Sequence, residues 1–363
     1  MGRVRGQAHP PLAGQTMERQ PVVAESLSRM IKKEILARAT KPVKDRSLVE
    51  PAELPSTMQW VLPNLIWNWG VPSVGRTSRA QFEFCDHMPQ FCQPDAEFVS
   101  SSDSFSQNYI AFLQLLSPDF QPQTLLEQAK QAATFPTGNP ADGNVPAGWT
   151  TVVDGGGTLR WQPDWVVGSS PGDFLAAVKA DDIKSSTIEV TDPTLLVGAG
   201  REKLTVLSVG TGSDNLKPIA FQPGDLQGIQ LAAAGWGRVT IYPGTWFSSA
   251  IFALGRKAKF VPGYDASDVY GSKGLLRCRV ADMIIAYKPS ATLILSDSFA
   301  AQHRDAITNA SSLRVVGIDL PKLNRHRYSF SAPPTKTNDV VNLAVQSTAE
   351  QPMIIGVVIQ TDC

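Results

Sequence analysis

Two cysteines and a histidine lie close together in sequence and form the first group that could bind a metal. The stretch FEFCDHMPQFC contains Cys85, His87 and Cys92. A structural zinc site needs about four thiolate or imidazole ligands, usually from two separated pairs. The other cysteines and histidines are remote in sequence, so this stretch has no second pair of ligands nearby. We therefore predict no metal site and favour free, partly buried thiols, with a local Cys85–Cys92 disulfide as the alternative.

A Gly-x-Ser-x-Gly pattern lies between a short predicted strand and a predicted helix, which is the setting of a serine nucleophile. In GSSPGD the central residue is Ser170. A nucleophile elbow uses the backbone N–H of the next residue to stabilise the oxyanion, and Pro171 has no N–H. Ser170 as N-cap, Pro171 in the first turn and Asp173 near the positive end of the helix dipole are instead typical of a helix start. The two candidate bases, His303 and His326, each neighbour arginine as in ordinary surface loops, so we predict a capped helix rather than a hydrolase site.

Glycine-rich turns and paired carboxylates offer no cofactor site. VGAGREK and VGTGSDN each follow a predicted strand, but neither completes the G-x-G-x-x-G pattern and both precede strand-like sequence. The DGGG turn that begins at Asp154 lacks the alternating oxygen ligands of a calcium loop. Asp181 and Asp182 lie at a predicted helix end, where carboxylates are usually solvated. We predict no cofactor and assign no catalytic residue.

The aromatic stretch GWGRVTIYPGTWFSSAIF, residues 235–252, is the remaining candidate site. Its pattern predicts a hairpin that turns at the Pro-Gly pair. Alternation places Val239 and Ile241 on the buried face of the first strand. Arg238 and Thr240 lie on the opposite face, which we therefore expect to be exposed to solvent.

Trp236 and Tyr242 are expected at the two ends of that exposed face. After the turn, Trp246 and Phe247 point to opposite sides, so one of them must be exposed or covered by another segment. An exposed aromatic edge beside arginine suits a sugar ring, a lipid headgroup or a partner protein, although cover by the N-terminal region explains the same pattern. The predicted binding residues are Trp236, Arg238, Tyr242, Trp246 and Phe247.

Charge is distributed unevenly along a chain whose formal net charge is zero. Residues 1–50 carry ten basic and five acidic side chains, residues 51–182 five and fourteen, and residues 183–363 eighteen and fourteen. The chain lacks the overall basic charge that neutralises duplex phosphates, so duplex nucleic acid is an unlikely partner. The apolar runs are too short for a bilayer-spanning helix and no signal peptide is visible, which makes the cytoplasm the default location.

The elements change in character along the chain. Residues 1–20 are predicted to form a flexible tail, and an amphipathic basic helix is expected within 22–40. The region 21–182 is predicted to be mainly helical or irregular, with a hairpin near 149–162. About a dozen short strands fill 183–363, separated by Gly, Pro and Asp turns.

These patterns predict an α+β fold in which an N-terminal arm and a helical region precede an antiparallel, jelly-roll-like β-sandwich. We expect a non-catalytic protein that uses an aromatic edge of the sandwich to bind a glycan, a membrane surface or a partner subunit. A homo-oligomer formed through the N-terminal arm belongs to the same class. The alternative is an enzyme whose dispersed residues meet in a cleft between the helical region and the sandwich.

Overall fold

The structure is a computed structural model that describes residues 26–40, 57–69, 77–93, 96–198, 205–210, 216–321, 328–331, 340–347 and 349–361. The predicted tail 1–20 and His326 lie outside these ranges, as do most of the VGAGREK and VGTGSDN stretches.

The helices begin where serine side chains can cap them. In six helices the residue before the first turn is a serine whose Oγ accepts a backbone N–H, and Ser170 is one of these, which confirms the capping interpretation. A short 3-10 helix spans Pro140–Asp142. The α-helices of the described residues are α1 Leu27–Arg38, α2 Arg79–Asp86, α3 Phe105–Leu115, α4 Gln123–Ala132, α5 Pro171–Lys179, α6 Pro193–Gly198, α7 Ser249–Gly255, α8 Ala266–Tyr270 and α9 Asp297–Thr308.

The strands follow the apolar runs of the sequence. They are β1 Thr57–Ile66, β2 His87–Pro89, β3 Glu97–Phe98, β4 Ser100–Ser104, β5 Trp149–Val153, β6 Leu159–Pro163, β7 Trp165–Val167, β8 Ser186–Val190, β9 Leu207–Gly210, β10 Leu216–Pro218, β11 Leu226–Ala233, β12 Gly235–Pro243, β13 Cys278–Tyr287, β14 Ser290–Ser296, β15 Ser312–Val315, β16 Ile318–Pro321, β17 Tyr328–Ser331, β18 Val340–Gln346 and β19 Met353–Thr361. The predicted hairpin near 149–162 is confirmed as β5 and β6, which pair in antiparallel register.

The described residues form five sheets, and most neighbouring strands are antiparallel. The largest has the order β3-β1-β19-β13-β12-β7, and the next has the order β17-β18-β14-β11-β8. A third sheet has the order β10-β9-β15-β16, and the pairs β2-β4 and β5-β6 complete the set. This architecture confirms a mixed helix-and-strand protein with antiparallel sheets. The finer expectation of a jelly-roll-like sandwich stays a prediction.

Three chain segments run through both large sheets. β11 continues into β12 after one residue, and the ladder beside them passes from Ala232–Ser290 to Gly235–Tyr287 with a short break. β13 is followed by β14 after two residues and β18 by β19 after six, and in each case one strand lies in one large sheet and the other strand in the other. The six-stranded sheet also contains β1, β3 and β7. It therefore combines strands from before residue 182 with strands from after it.

The central strands of the six-stranded sheet are buried on both faces, because a separate apolar core lies on each side of them. Along β13, Met283 and Ile285 pack into one core, while Ile284 and Ala286 pack into the other. β19 alternates in the same manner, with Ile354 in one core and Ile355 in the other. A strand in this position has no solvent-exposed side. Its alternate side chains therefore enter two different cores, instead of one core and the solvent.

The N-terminal amphipathic helix is confirmed as α1, and it packs on this chain. Its apolar residues Leu27, Ile31 and Ile35 are buried in the core that lies between the five-stranded and the six-stranded sheets. Just after the helix, the backbone N–H of Thr40 donates to Trp236 O, and Arg238 N–H donates to Thr40 O. α1 and Thr40 therefore cover one edge of β12. Among the described residues, no helix combines the length and hydropathy that a membrane span requires.

A disulfide joins Cys92 to Cys278, so the expectation of free thiols there, and the alternative Cys85–Cys92 pair, are wrong. The two cysteines are 186 positions apart, a pairing that sequence spacing cannot indicate. Gln59 fixes the segment around Cys92, since its Nε2 donates to Phe91 O and Gln93 O, each at 2.8 Å. Cys85 is a buried free thiol whose pKa is raised by burial.

Replacement of Cys92 and Cys278 by serine should lower the free energy of unfolding by about 4 kcal/mol, because the bond restricts a long loop of the unfolded chain. Denaturant titration with and without a reducing agent measures this loss. Reduction should destabilise the wild type to the same extent and leave the double variant unchanged. Equal stability of the oxidised and reduced wild type would contradict the pairing, and peptide mapping under non-reducing conditions provides an independent check.

Candidate functional site

The two tryptophans of the predicted aromatic edge are core residues. Trp236 is 0% exposed and its Nε1 donates to Ser186 O at 3.3 Å. Trp246 is 1% exposed and its Nε1 donates to Asp164 O at 2.6 Å. The expectation that Trp236 lies at the end of a solvent-exposed face is wrong, because β12 lies between two apolar cores. Of the two aromatic residues after the turn, Trp246 is the buried one.

The polar residues of β12 are also enclosed. Arg238 donates from Nη2 to the Oδ2 atom of Asp282 at 2.8 Å, and the Asp282 side chain is almost fully buried. Thr240, expected to be exposed, is only 6% exposed, and Tyr242 is half-buried. The face assigned to solvent is therefore largely covered, although the Arg238 side chain remains 30% exposed. The ion pair balances the charge of the buried Asp282 carboxylate.

Phe247 and Trp246 of the predicted set line an open cleft, and Phe247 is the more exposed of the two. The cleft has a volume of about 450 Å³ and lies between α4 and residues 245–250; we call it the corner cleft. α4 contributes apolar side chains, such as Ala129, together with the exposed amide of Gln128. Opposite them lie Phe247 and the small polar residues Thr245, Ser248 and Ser249. Small-molecule sites usually have volumes of roughly 300–1,000 Å³, and the volume of the corner cleft lies in this range.

The wall of the cleft rests on packed aromatic rings. Phe247 lies 4.7 Å from the Tyr109 ring and 5.8 Å from the Trp246 ring, measured between centroids. Trp246 also contacts Trp165 at 5.6 Å, and Phe105 contacts both Trp165 and Phe247. Tilted and edge-to-face contacts of this kind add to the stability that burial provides. These five residues form what we call the aromatic cluster.

Hydrogen bonds fix the turn that bears Phe247. The Tyr109 hydroxyl accepts the backbone N–H of Ser248 at 3.0 Å and lies 3.5 Å from Ser248 O, and burial raises the pKa of Tyr109 to about 12. Gly148 packs so closely on the same turn that a Cβ there would lie 2.7 Å from Thr245 Oγ1, and its φ of +83° also favours glycine. α3 and the start of β5 thus hold the turn from two sides.

A buried carboxylate supports the aromatic cluster from the opposite side. Asp86 Oδ1 accepts the backbone N–H of Ser106 at 3.0 Å and the indole N–H of Trp165 at 3.2 Å, while Oδ2 accepts the hydroxyl of Ser104. Burial raises the pKa of Asp86, although these hydrogen bonds favour the charged form. Asp86 therefore connects the end of α2 to the start of α3 and to Trp165.

The other candidate residues are not assembled into a site. Within the described part of the chain, no group of three or more His, Cys, Asp or Glu side chains is placed to hold a metal ion. His87 Nδ1 lies 3.2 Å from Ser100 Oγ, and Cys92 is in the disulfide. Ser170 caps α5 and bonds to Asp173 Oδ2 at 2.9 Å, while the His303 ring packs on Phe299.

Comparison with known proteins gives no match, because no family model, curated protein or solved structure is significantly similar to this chain.

Sequence reasoning identified one wall of the corner cleft and missed the other. The pattern WFSS drew attention to Phe247 because an aromatic pair in a strand cannot have both rings on one side. Gln128 gave no such signal, since α4 is more than a hundred residues earlier and its sequence only predicts a helix. The pairing of the two walls is tertiary and has no local signature.

Tyr109→Phe should lower the free energy of unfolding by about 1–2 kcal/mol, because the Ser248 N–H loses its hydroxyl acceptor. Urea denaturation measures the change. Tyr264→Phe is the matched control, since Tyr264 is an exposed tyrosine and its loss of a hydroxyl should be nearly neutral. Equal effects of the two substitutions would show that the hydroxyl of Tyr109 does not hold the turn.

Asp86→Asn should reduce the pH dependence of stability. The folded state holds the Asp86 proton more tightly than the unfolded chain, whose carboxyl titrates near pH 3.9, roughly as in model peptides. The wild type therefore loses stability as pH rises from about 4 to the raised pKa of the folded state, and the asparagine variant lacks this loss. Denaturation between pH 3.5 and pH 8, in steps of roughly half a unit, tests the difference.

The control for that experiment is Asp119→Asn, which removes an exposed carboxylate. Parallel stability profiles for the wild type and Asp86→Asn would contradict the linkage.

Proposed function

We propose that the chain is a non-catalytic binding protein whose corner cleft takes a neutral, polyhydroxylated ligand such as a glycan. The observation that carries this proposal is the composition of the cleft: an aromatic ring faces apolar side chains, with amide and hydroxyl groups around them and no charged residue in the lining. Sugars present C–H faces that pack on aromatic rings and hydroxyls that bond to amides and hydroxyls.

The lining supports binding over catalysis. The cleft lies where the enzyme alternative would need it, between a helix of the N-terminal region and a turn that follows β12. General acid–base chemistry requires a titratable group within hydrogen-bonding reach of the ligand. The polar lining residues are Gln128, Thr245, Ser248 and Ser249, none of which titrates near neutral pH.

The same lining favours a glycan over the other ligands expected from the sequence. Attraction to an anionic membrane surface depends on lysine and arginine, and the lining residues include neither. The volume of about 450 Å³ suits one or two sugar rings better than the large flat surface of a subunit interface. Self-assembly through the N-terminal arm and a jelly-roll-like sandwich remain separate hypotheses.

A glycan array followed by calorimetric titration of the best ligand tests the proposal. Gln128→Ala should weaken binding about fivefold, the equivalent of one neutral hydrogen bond. Phe247→Leu should weaken it by about 3- to 10-fold through loss of ring stacking. Gln131→Ala is the matched control, because Gln131 is an exposed glutamine of α4 outside the cleft lining, and it should bind as the wild type does.

An array on which no glycan binds would overturn the proposal. So would a ligand whose affinity is the same for the wild type, Gln128→Ala and Phe247→Leu. Each variant is first checked by thermal unfolding, so that loss of the fold is not mistaken for loss of the site.

A further inference from the structure

A second surface, separate from the corner cleft, has a different chemistry. α7 is followed by the sequence RKAK, in which Arg256, Lys257 and Lys259 are all exposed. We call this segment, together with Tyr264 and Lys273 of the following stretch, the basic ledge. From residue 255 to residue 277 the chain has five basic and two acidic side chains, in a protein with no net charge.

The ledge is held in place by backbone hydrogen bonds to the end of α3. Ser117 N–H donates to Lys259 O at 2.9 Å, and Val261 N–H donates to Leu115 O at 2.9 Å. Leu116 and Phe260 form an isolated antiparallel bridge between these two bonds. The lysines therefore project from a fixed backbone, which lowers the entropy that their binding to a ligand would cost.

Aromatic rings lie beside the cations. The Arg256 guanidinium carbon is 5.0 Å from the centre of the Tyr270 ring and 5.9 Å from that of Phe252. The Tyr270 hydroxyl donates to Phe252 O at 2.8 Å, which fixes the ring beneath the arginine. Tyr264 is 51% exposed and lies five residues after Lys259 in the sequence, so this segment also presents a large ring to solvent.

The carboxylates nearby are occupied with local structure. Asp265 accepts the backbone N–H and the hydroxyl of Ser267, and Asp268 accepts the backbone N–H of Asp265, which together cap α8. Across the described ranges, neither Lys257, Lys259 nor Lys273 forms an ion pair. Their charges are therefore available to an anionic partner.

We propose that the basic ledge binds single-stranded nucleic acid. Phosphates would contact Lys257, Lys259 and Lys273, and an unstacked base would pack on the Tyr264 ring. Proteins that bind single strands combine a cationic track with exposed aromatic rings in this way. An acidic protein would use the lysines but would have no particular need of the tyrosine. A duplex would not offer its bases for stacking, and its affinity would require a larger basic surface than this one.

Fluorescence anisotropy of the full chain with labelled oligo-uridine tests the proposal. Three phosphate contacts on a single strand predict that log K falls with log salt concentration with a slope of about −2. Lys257→Gln combined with Lys259→Gln should weaken binding at least about fivefold and reduce the slope by about 1.4. Tyr264→Ala should weaken binding at least about fivefold through lost stacking.

The matched control is Lys179→Gln combined with Lys184→Gln, which removes two exposed lysines from another part of the surface. It should bind about as well as the wild type. Equal affinity of the two lysine pairs would overturn the proposal and assign any binding to another basic segment, such as residues 1–50. If heparin binds with the same dependence on Lys257 and Lys259, and Tyr264→Ala has no effect on oligo-uridine, the ledge is a general anion surface and the assignment to nucleic acid fails.

Discussion

Burial of the central strands of the six-stranded sheet between two apolar cores is the constraint on which the rest of the structure depends. Because β12, β13 and β19 lie between two apolar cores, each of their side chains must fit an interior. Charge is then allowed only where it is paired, as in the contact between Arg238 and Asp282. Binding surfaces consequently cannot be built on the central strands and must be formed by the elements that cover or leave them.

The corner cleft follows from this arrangement. The chain leaves β12 at Pro243, and Trp246 is taken into the core beside Trp165 while Phe247 is left at the boundary. The hydroxyl of Tyr109 in α3 fixes the position of the turn that bears Phe247, and α4 forms the opposite wall of the cleft. The basic ledge belongs to the same connection after β12, since it begins where α7 ends. One connection, between β12 and β13, thus contributes a wall of the uncharged corner cleft and the whole of the basic ledge.

Local sequence signals predicted many elements, but the hairpin expected in 235–252 is wrong, because Ser249–Gly255 forms α7 instead of a returning strand. Tertiary burial explains the other failures. Ser170 and Pro171 predicted the start of α5, and the DGGG turn predicted the hairpin of β5 and β6, because capping and turn formation depend on near neighbours. The sequence of β12 predicted correctly that Val239 and Ile241 face a core, but the opposite, polar face was expected to contact solvent. A sequence cannot show that a second core covers that face. The pairing of Cys92 with Cys278 and of α4 with the turn at Phe247 was equally non-local.

The covalent link between Cys92 and Cys278 also changes what a cut in the chain would do. Residues 140–148, which begin with the short 3-10 helix, are rich in proline and glycine and largely exposed. They lie between Cys92 and Cys278, inside the loop that the disulfide closes. A protease that cleaved there would produce two polypeptides that remain one molecule. α3 and α4 would stay attached to the sheets, and the protein could exist as a two-chain form without losing either wall of its cleft.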